Sequence, residues 1–163
     1  MSSSVGLNGG NNGNGNVISS GKGEWTSPFS PFLYKGKIVL VTGGSRGGIL
    51  KECAKQFLIH GAKHVFIMAR NAEKLKEVTD DLSQYGTCTP IQGDVTSMEK
   101  CNANVESIVK KYGHIDVLVN GAAGNFLASA EKLSSNAVRK VLEIDALGTF
   151  HMSNCCFRHA FKK

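Results

Sequence analysis

Four short runs rich in valine and isoleucine, KIVLVT (37–42), HVFIMA (64–69), CTPIQGD (88–94) and DVLVN (116–120), alternate with longer segments whose apolar residues recur at helical spacing. Continuous apolar runs of this length suit strands covered on both faces. Parallel strands need a crossover between them, and a helix is the usual one. The helical stripes are Cys53, Ala54, Phe57 and Leu58; then Leu75, Val78 and Leu82; then Cys101, Val105, Ile108, Val109 and Tyr112. Each stripe is one-sided, as a helix lying on a sheet requires. Right-handed crossovers then set the helices on the faces of one twisted parallel sheet. A fourth helix is expected over 136–143 and a fifth from Leu147, with the sheet cut off after about four strands.

A chain of 163 residues can bury one core, and a second domain is not expected. Residues 1–23 are almost all Gly, Asn and Ser, too polar to offset their ordering entropy. A disordered tail is therefore expected over 1–30, followed over 31–163 by the amino-terminal part of one such α/β domain. The tail has neither the apolar core of a secretory signal nor the arginines of a mitochondrial presequence. No apolar run approaches the roughly 20 residues of a membrane-spanning helix, so no membrane partner is expected.

The net charge of +6 comes from residues such as Lys51, Lys55, Lys63, Lys74 and Lys76, which are spread along the chain and not interleaved with aromatics. That is the pattern of a solvated basic surface, and no nucleic-acid partner is expected. Five cysteines without a C-x-x-C spacing predict reduced thiols, and the five histidines lack metal-ligand spacing, so no metal is expected.

The first strand runs directly into GGSRGGIL, placing Gly43, Gly44, Ser45, Arg46, Gly47 and Gly48 between a strand and an amphipathic helix. In that context backbone amides and a helix amino terminus can approach a pyrophosphate. The second strand ends in Arg70 and Asn71, where NAD-specific domains carry an acid for the ribose hydroxyls. An arginine there suits a 2′-phosphate, and Arg46 could clamp the same group, because guanidinium matches phosphate in a bidentate fashion. An ordinary surface charge is the competing reading of both. The third strand leads into Gly93-Asp94-Val95 and the fourth into VNGAAGNF, with Asn120 and Ala122. Both fall at the carboxyl edge of the sheet, where open α/β folds bind ligands.

Together these residues resemble the short-chain dehydrogenase/reductase family. Its TGxxxGxG turn is matched by Thr42, Gly43 and Gly47, its third-strand motif by Asp94 and Val95, and its NNAG-like motif by Asn120 and Ala122. The resemblance implies a Rossmann-type doubly wound sheet and an NADP(H) cofactor. Over 122–150 the segment AAGNFLASAEKLSSNAVRKVLEIDALGTF is similar to the peroxisomal 2,4-dienoyl-CoA reductase subgroup. That likeness implies NADPH-dependent reduction of 2,4-dienoyl-CoA to 3-enoyl-CoA in the oxidation of unsaturated fatty acids. It also implies acyl-CoA contacts at Phe126, Ser134, Ser135 and Asn136, with Arg70 reaching the CoA side, and a homo-oligomeric full-length relative. Asp145 stands where most of the family has asparagine; in the subgroup an aspartate works with a later lysine on a proton-donating water. Helix capping is the competing reading of Asp145.

The chain departs from the family in four places. The glycine turn is one residue longer, and Ile49 or Leu50 stands at the third glycine, which permits close helix-to-strand packing. Thr96 replaces an arginine. The later lysine is lacking, so the chain alone is expected to be an inactive fragment. Phe161-Lys162-Lys163 is not an S-K-L-type address, so the peroxisome is implied by resemblance alone and the cytoplasm otherwise. Two alternatives stay open: another short-chain enoyl or 3-oxoacyl reductase, marked by a downstream Y-x-x-x-K, and a non-catalytic nucleotide-binding fragment.

Overall fold

The computed structural model describes residues 29–161 and two short segments, Ile18–Ser19 and Glu24–Trp25. Those segments pair antiparallel, Ile18 opposite Trp25. Of the tail expected over 1–30, Phe29 and Ser30 are also described, and the remaining residues lie outside the described ones.

The four expected strands form, as β1 (Ile38–Thr42), β2 (His64–Ala69), β3 (Cys88–Gln92) and β4 (Val117–Asn120). Between them run α1 (Ile49–Ile59), α2 (Ala72–Leu82) and α3 (Met98–Tyr112). After β4 come α4 (Ser135–Leu142) and α5 (Gly148–Cys156). All four strands are parallel, in the order β3-β2-β1-β4. Leu40 sits level with Phe66 on one side and Leu118 on the other. Pro90 is tolerated because β3 is an edge strand, where a missing amide need not break a ladder.

The two-residue alternation of the strands divides the core by face. Ile38, Leu40, Phe66 and Met68 pack with Val105 and Ile108 of α3 and with Met152, Cys155 and Cys156 of α5. Val39, Val41, Val65 and Ile67 face the other way, onto Ala54 and Leu58 of α1 and Leu75, Val78 and Leu82 of α2. Helices on both faces make the sheet doubly wound. Burying a side chain of this size stabilises by roughly 1.5–3 kcal/mol, so each face is held by hydrophobic burial far more than by any surface ion pair.

Two differences from the sequence reading have local causes. The third strand stops at Gln92 and not at Asp94, because the Asp94 carboxylate accepts from the Thr96 amide (3.0 Å) and hydroxyl (2.9 Å) and turns the chain. The two carboxy-terminal helices are joined through a π-helical turn, Glu143–Leu147, since Leu142, Leu147 and Gly148 all keep helical backbone angles.

Two polar clusters fasten the amino-terminal ends of the strands. Asp116 accepts from the Ile38 amide (2.8 Å) and the Lys37 ammonium (2.9 Å), with His114 at 3.1 Å, and so ties β4 to β1. Partial burial alone would raise its carboxyl, but these donors and charges outweigh that and hold it below the usual carboxylate range. His64 stacks on Phe66 and is hydrogen-bonded to Thr89 and Tyr112, both at 2.8 Å. Its burial, then the charge of Lys111, lowers its pKa. All five cysteines are free, and burial pushes the thiols of Cys88 and Cys156 up to about 12, which leaves them unreactive.

Both polar clusters penalise acid. His64 stays neutral in the fold, so the unfolded chain binds an extra proton once the pH falls below about 6.5, and stability drops from there. Asp116 stays ionised in the fold, so its contribution is present above about pH 4 and is lost as the pH falls through its lower folded value. The urea midpoint should therefore be level above about pH 7 and fall in two stages on acidification. His64→Leu should abolish the first stage and lower the plateau by about 1–3 kcal/mol, because Thr89 and Tyr112 lose their partner. A wild-type midpoint that stays flat to about pH 5 would contradict the assignment of His64.

Candidate functional site

Strand order creates the site. From β1 the chain leaves toward β2, whereas β4 is added on the other side of β1 after the chain has crossed back from β3. The loops following β1 and β4 thus diverge above adjacent strands and leave a crevice at the carboxyl edge, the place where ligands bind in such sheets. Thr42 closes its floor. Its Oγ1 accepts from the amides of Gly121 (3.1 Å) and Ala122 (3.3 Å), binding the end of β4 to the end of β1.

The glycine turn occupies one lip. Gly47 (φ 77°) and Gly48 (φ 71°) lie in the left-handed half of backbone space, which side chains disfavour. A β-carbon on Gly48 would meet nothing within 4 Å, and on Gly47 only the Lys51 side chain at 4.0 Å, so this part of the turn is open. Helix α1 begins at Ile49 with no side-chain cap, and its first amides lack intrahelical acceptors. An anion is the natural partner of such an end. Ser45 is half-buried within the turn and Arg46 is exposed beside it.

The inner part of the turn is filled. Of the two residues at the third-glycine place, Ile49 is 82% exposed, while Leu50 points inward. A β-carbon on Gly43 would lie 2.8 Å from Leu50 Cδ1 and 2.8 Å from the Gly121 carbonyl oxygen. One on Gly121 would lie 2.2 Å from Leu50 Cδ2. Leu50 therefore occupies the space between the ends of β1 and β4. The residues present suit the phosphate and adenosine side of a dinucleotide, at the open turn, better than the crevice beyond it.

Arg70 follows β2, the strand next to β1 on the side away from β4, and is exposed. Its charge, with that of Lys100, helps the Thr96 hydrogen bonds overcome the effect of burial and lower the pKa of Asp94. Arg70 and Asp94 thus share the β2–β3 end of the edge. Val95 is buried: a β-carbon on Gly148 would lie 2.5 Å from its Cγ2, and its carbonyl accepts from His151 Nδ1 at 2.9 Å. Its side chain supports α5 and does not face the edge.

Across the crevice, the loop after β4 is held from three sides. Besides Thr42 below, Asn120 Nδ2 donates to Ser153 Oγ on α5 (3.0 Å), and the Gly124 amide donates to Asp145 Oδ1 (2.9 Å). Asp145 lies inside the π-helical turn, exposed, so its carboxylate fixes the neighbouring loop and does not cap a helix. Phe126 is 53% exposed on that loop. Ser134, Ser135 and Asn136 are exposed at the start of α4, where Ser134 Oγ accepts from the Ala137 amide at 3.2 Å and caps the helix. Thr42, Gly121 and Ser153 were not among the sequence candidates. Thr42 was quoted only as a motif match, and Ser153 carries no local signal at all.

No helix among the described residues is long and apolar enough to cross a membrane. The family profile described as short chain dehydrogenase matches residues 37–163. A peroxisomal 2,4-dienoyl-CoA reductase of Arabidopsis thaliana is 42% identical over 137 residues, 83% of this chain and 45% of that protein. Its namesake in Danio rerio is 38% identical over 141 residues, 85% of this chain and 46% of that protein. Among solved structures, a Pseudomonas aeruginosa RhlG/NADP active-site complex superposes with a TM-score of 0.73 at 30% identity, covering 80% of this chain and 51% of the other. The chain spans about half the length of the curated relatives it matches. With the profile match covering nearly all of the doubly wound sheet and its helices, the chain belongs to the short-chain dehydrogenase family of oxidoreductases.

Proposed function

We propose that this chain is the cofactor-binding half of an NADPH-dependent 2,4-dienoyl-CoA reductase. The observation that carries the reading is the order of groups along one sheet edge: Asp94 and Arg70, then the open glycine turn with Arg46, then Asn120 and Ala122. A basic group lies at the end where a 2′-phosphate would sit, amides lie where the pyrophosphate would sit, and Asp145 flanks the loop beyond. When bound, the cofactor supplies the hydride. The chain's own part is to bind and orient: Ser45, Gly47 and Gly48 present backbone at the open turn, Gly43 and Gly44 line its inner part behind Leu50, and Arg70 and Arg46 meet phosphate charge.

On the substrate side, Phe126 and the Ser134–Asn136 turn would lie against the acyl-CoA. Once hydride reaches the far end of the conjugated diene, the resulting dienolate needs a proton from water. Asp145 has one carboxylate oxygen engaged by Gly124, which fixes its orientation, and its exposure lets the other oxygen hold a water. Delivering that proton also calls for a cation, the lysine implied by the resemblance, so turnover is assigned to the whole protein. The similarity to enzymes named peroxisomal 2,4-dienoyl-CoA reductase supports the substrate class and a peroxisomal site of action.

Three outcomes are expected. The 163-residue chain should bind NADPH more tightly than NADH, and Arg70→Ala should remove about tenfold or more of that preference by deleting a charge-assisted phosphate contact. Calorimetric titration with both nucleotides checks this, and equal affinities for the wild-type chain would sink the 2′-phosphate assignment. Mixed with NADPH and a 2,4-dienoyl-CoA, the chain alone should show no loss of nicotinamide absorbance; steady turnover would contradict the division of labour. Asp145→Ala should speed hydrogen exchange at the Gly124 amide, whereas Asp145→Asn, which keeps an acceptor oxygen, should preserve its protection.

A further inference from the structure

Resting on the dinucleotide reading above, we infer that Leu50 is a plug dividing the crevice: it leaves the adenosine 2′,5′-bisphosphate part of the cofactor a seat on the outer turn and withholds the inner seat until its side chain moves. The contrast within one turn carries the inference. Gly47 and Gly48 open onto free space, whereas Gly43 and Gly121 have their open sides taken by the Leu50 methyl groups, and Leu50 Cβ would lie 3.2 Å from a β-carbon on Gly44. The side chain reaches all three glycines because helical side chains lean toward the amino terminus, which carries Leu50 from the first turn of α1 back over the loop that precedes it.

Gly121 is the counterpart of the plug. It follows the last residue of β4, where its backbone amide is already engaged by Thr42, so it has no room to retreat. A β-carbon there would lie 2.2 Å from Leu50 Cδ2, so the leucine side chain would have to swing aside to admit one. The pair behaves as an exchange of volume across the crevice: a leucine on the helix, nothing on the strand end. A dinucleotide laid along this edge would meet the apolar isobutyl group of Leu50 between the ends of β1 and β4. An apolar side chain offers the dinucleotide no hydrogen bond, so its binding energy comes from the outer half alone.

The test uses the full 163-residue chain and two probes, adenosine 2′,5′-bisphosphate and NADPH, with Leu50→Ala as the opening variant, since alanine keeps the helix start sound. Leu50→Ala should raise NADPH affinity about tenfold or more while leaving the bisphosphate within about twofold. A second readout needs no ligand. Gly121→Ala should lower the melting temperature more in the wild-type chain than in the Leu50→Ala background, the signature of two residues in direct steric contact. Strictly additive melting shifts, or equal gains for both probes, would overturn the plug. Binding of both probes with no effect of Leu50→Ala also overturns it but leaves the NADP reading standing. No binding of either probe by either protein overturns both.

Discussion

The pairing of β1 with β4 is the constraint on which the site depends. It joins segments whose hydrogen-bonded residues lie 79 positions apart, and it forms only after the chain has built β2 and β3 on the opposite side and crossed back. Polar groups pin it at both ends: Asp116 on the Ile38 amide at the amino-terminal end, Thr42 on the Gly121 and Ala122 amides at the carboxyl end. Between those pins, Val39 to Thr42 lie in register with Val117 to Asn120. Any slip of this register would move Thr42 off the loop and part Gly43 from Gly121. The crevice is thus a product of a long-range ladder and not of the glycine turn by itself.

Edge position gives the same strand a second character. β1 is buried throughout, with strands on both sides, while β4 is half-buried and has a partner on one side only among the described residues. Beyond it, α4 contributes no buried residue, and Val138, Leu142, Phe150 and Phe157 remain 47–61% exposed. The loop between β4 and α4 is held by four directed hydrogen bonds, from Asn120, Gly121, Ala122 and Gly124, and by the packing of Ala122 against the core.

Periodicity made the elements legible. The short apolar runs all form strands, buried in β1 and β2 and partly buried in β3 and β4, and the stripes Leu75-Val78-Leu82 and Cys101-Val105-Ile108 face the sheet in the structure as their spacing requires. Residues at strand ends were legible as candidates, because parallel topology sends every carboxyl end to one edge. Their partners were not. Asp145 with Gly124, Asn120 with Ser153 and Thr42 with Gly121 join positions 21, 33 and 79 residues apart, and no local pattern encodes such contacts. Val95 read as a cofactor residue from its motif, yet its side chain is spent on packing against Gly148, a contact that only the docking of α5 creates.

The choice between Ile49 and Leu50 shows where pattern reading ends and geometry begins. Two adjacent apolar residues at a helix start are separated by about 100° of rotation, and which one faces the sheet depends on where the first turn is entered. That entry is set by Gly47 and Gly48, whose positive φ angles allow the extra residue of the longer turn to be absorbed before the helix begins. The longer turn and the inward leucine therefore go together: Gly47 and Gly48 carry the chain to Ile49, and the first turn of α1 then sets Leu50 into the gap. A side chain at the end of β4 would have to share the gap with it. Gly121 has none, and so the loop that carries Asn120 and Ala122 is also what admits a leucine to the crevice.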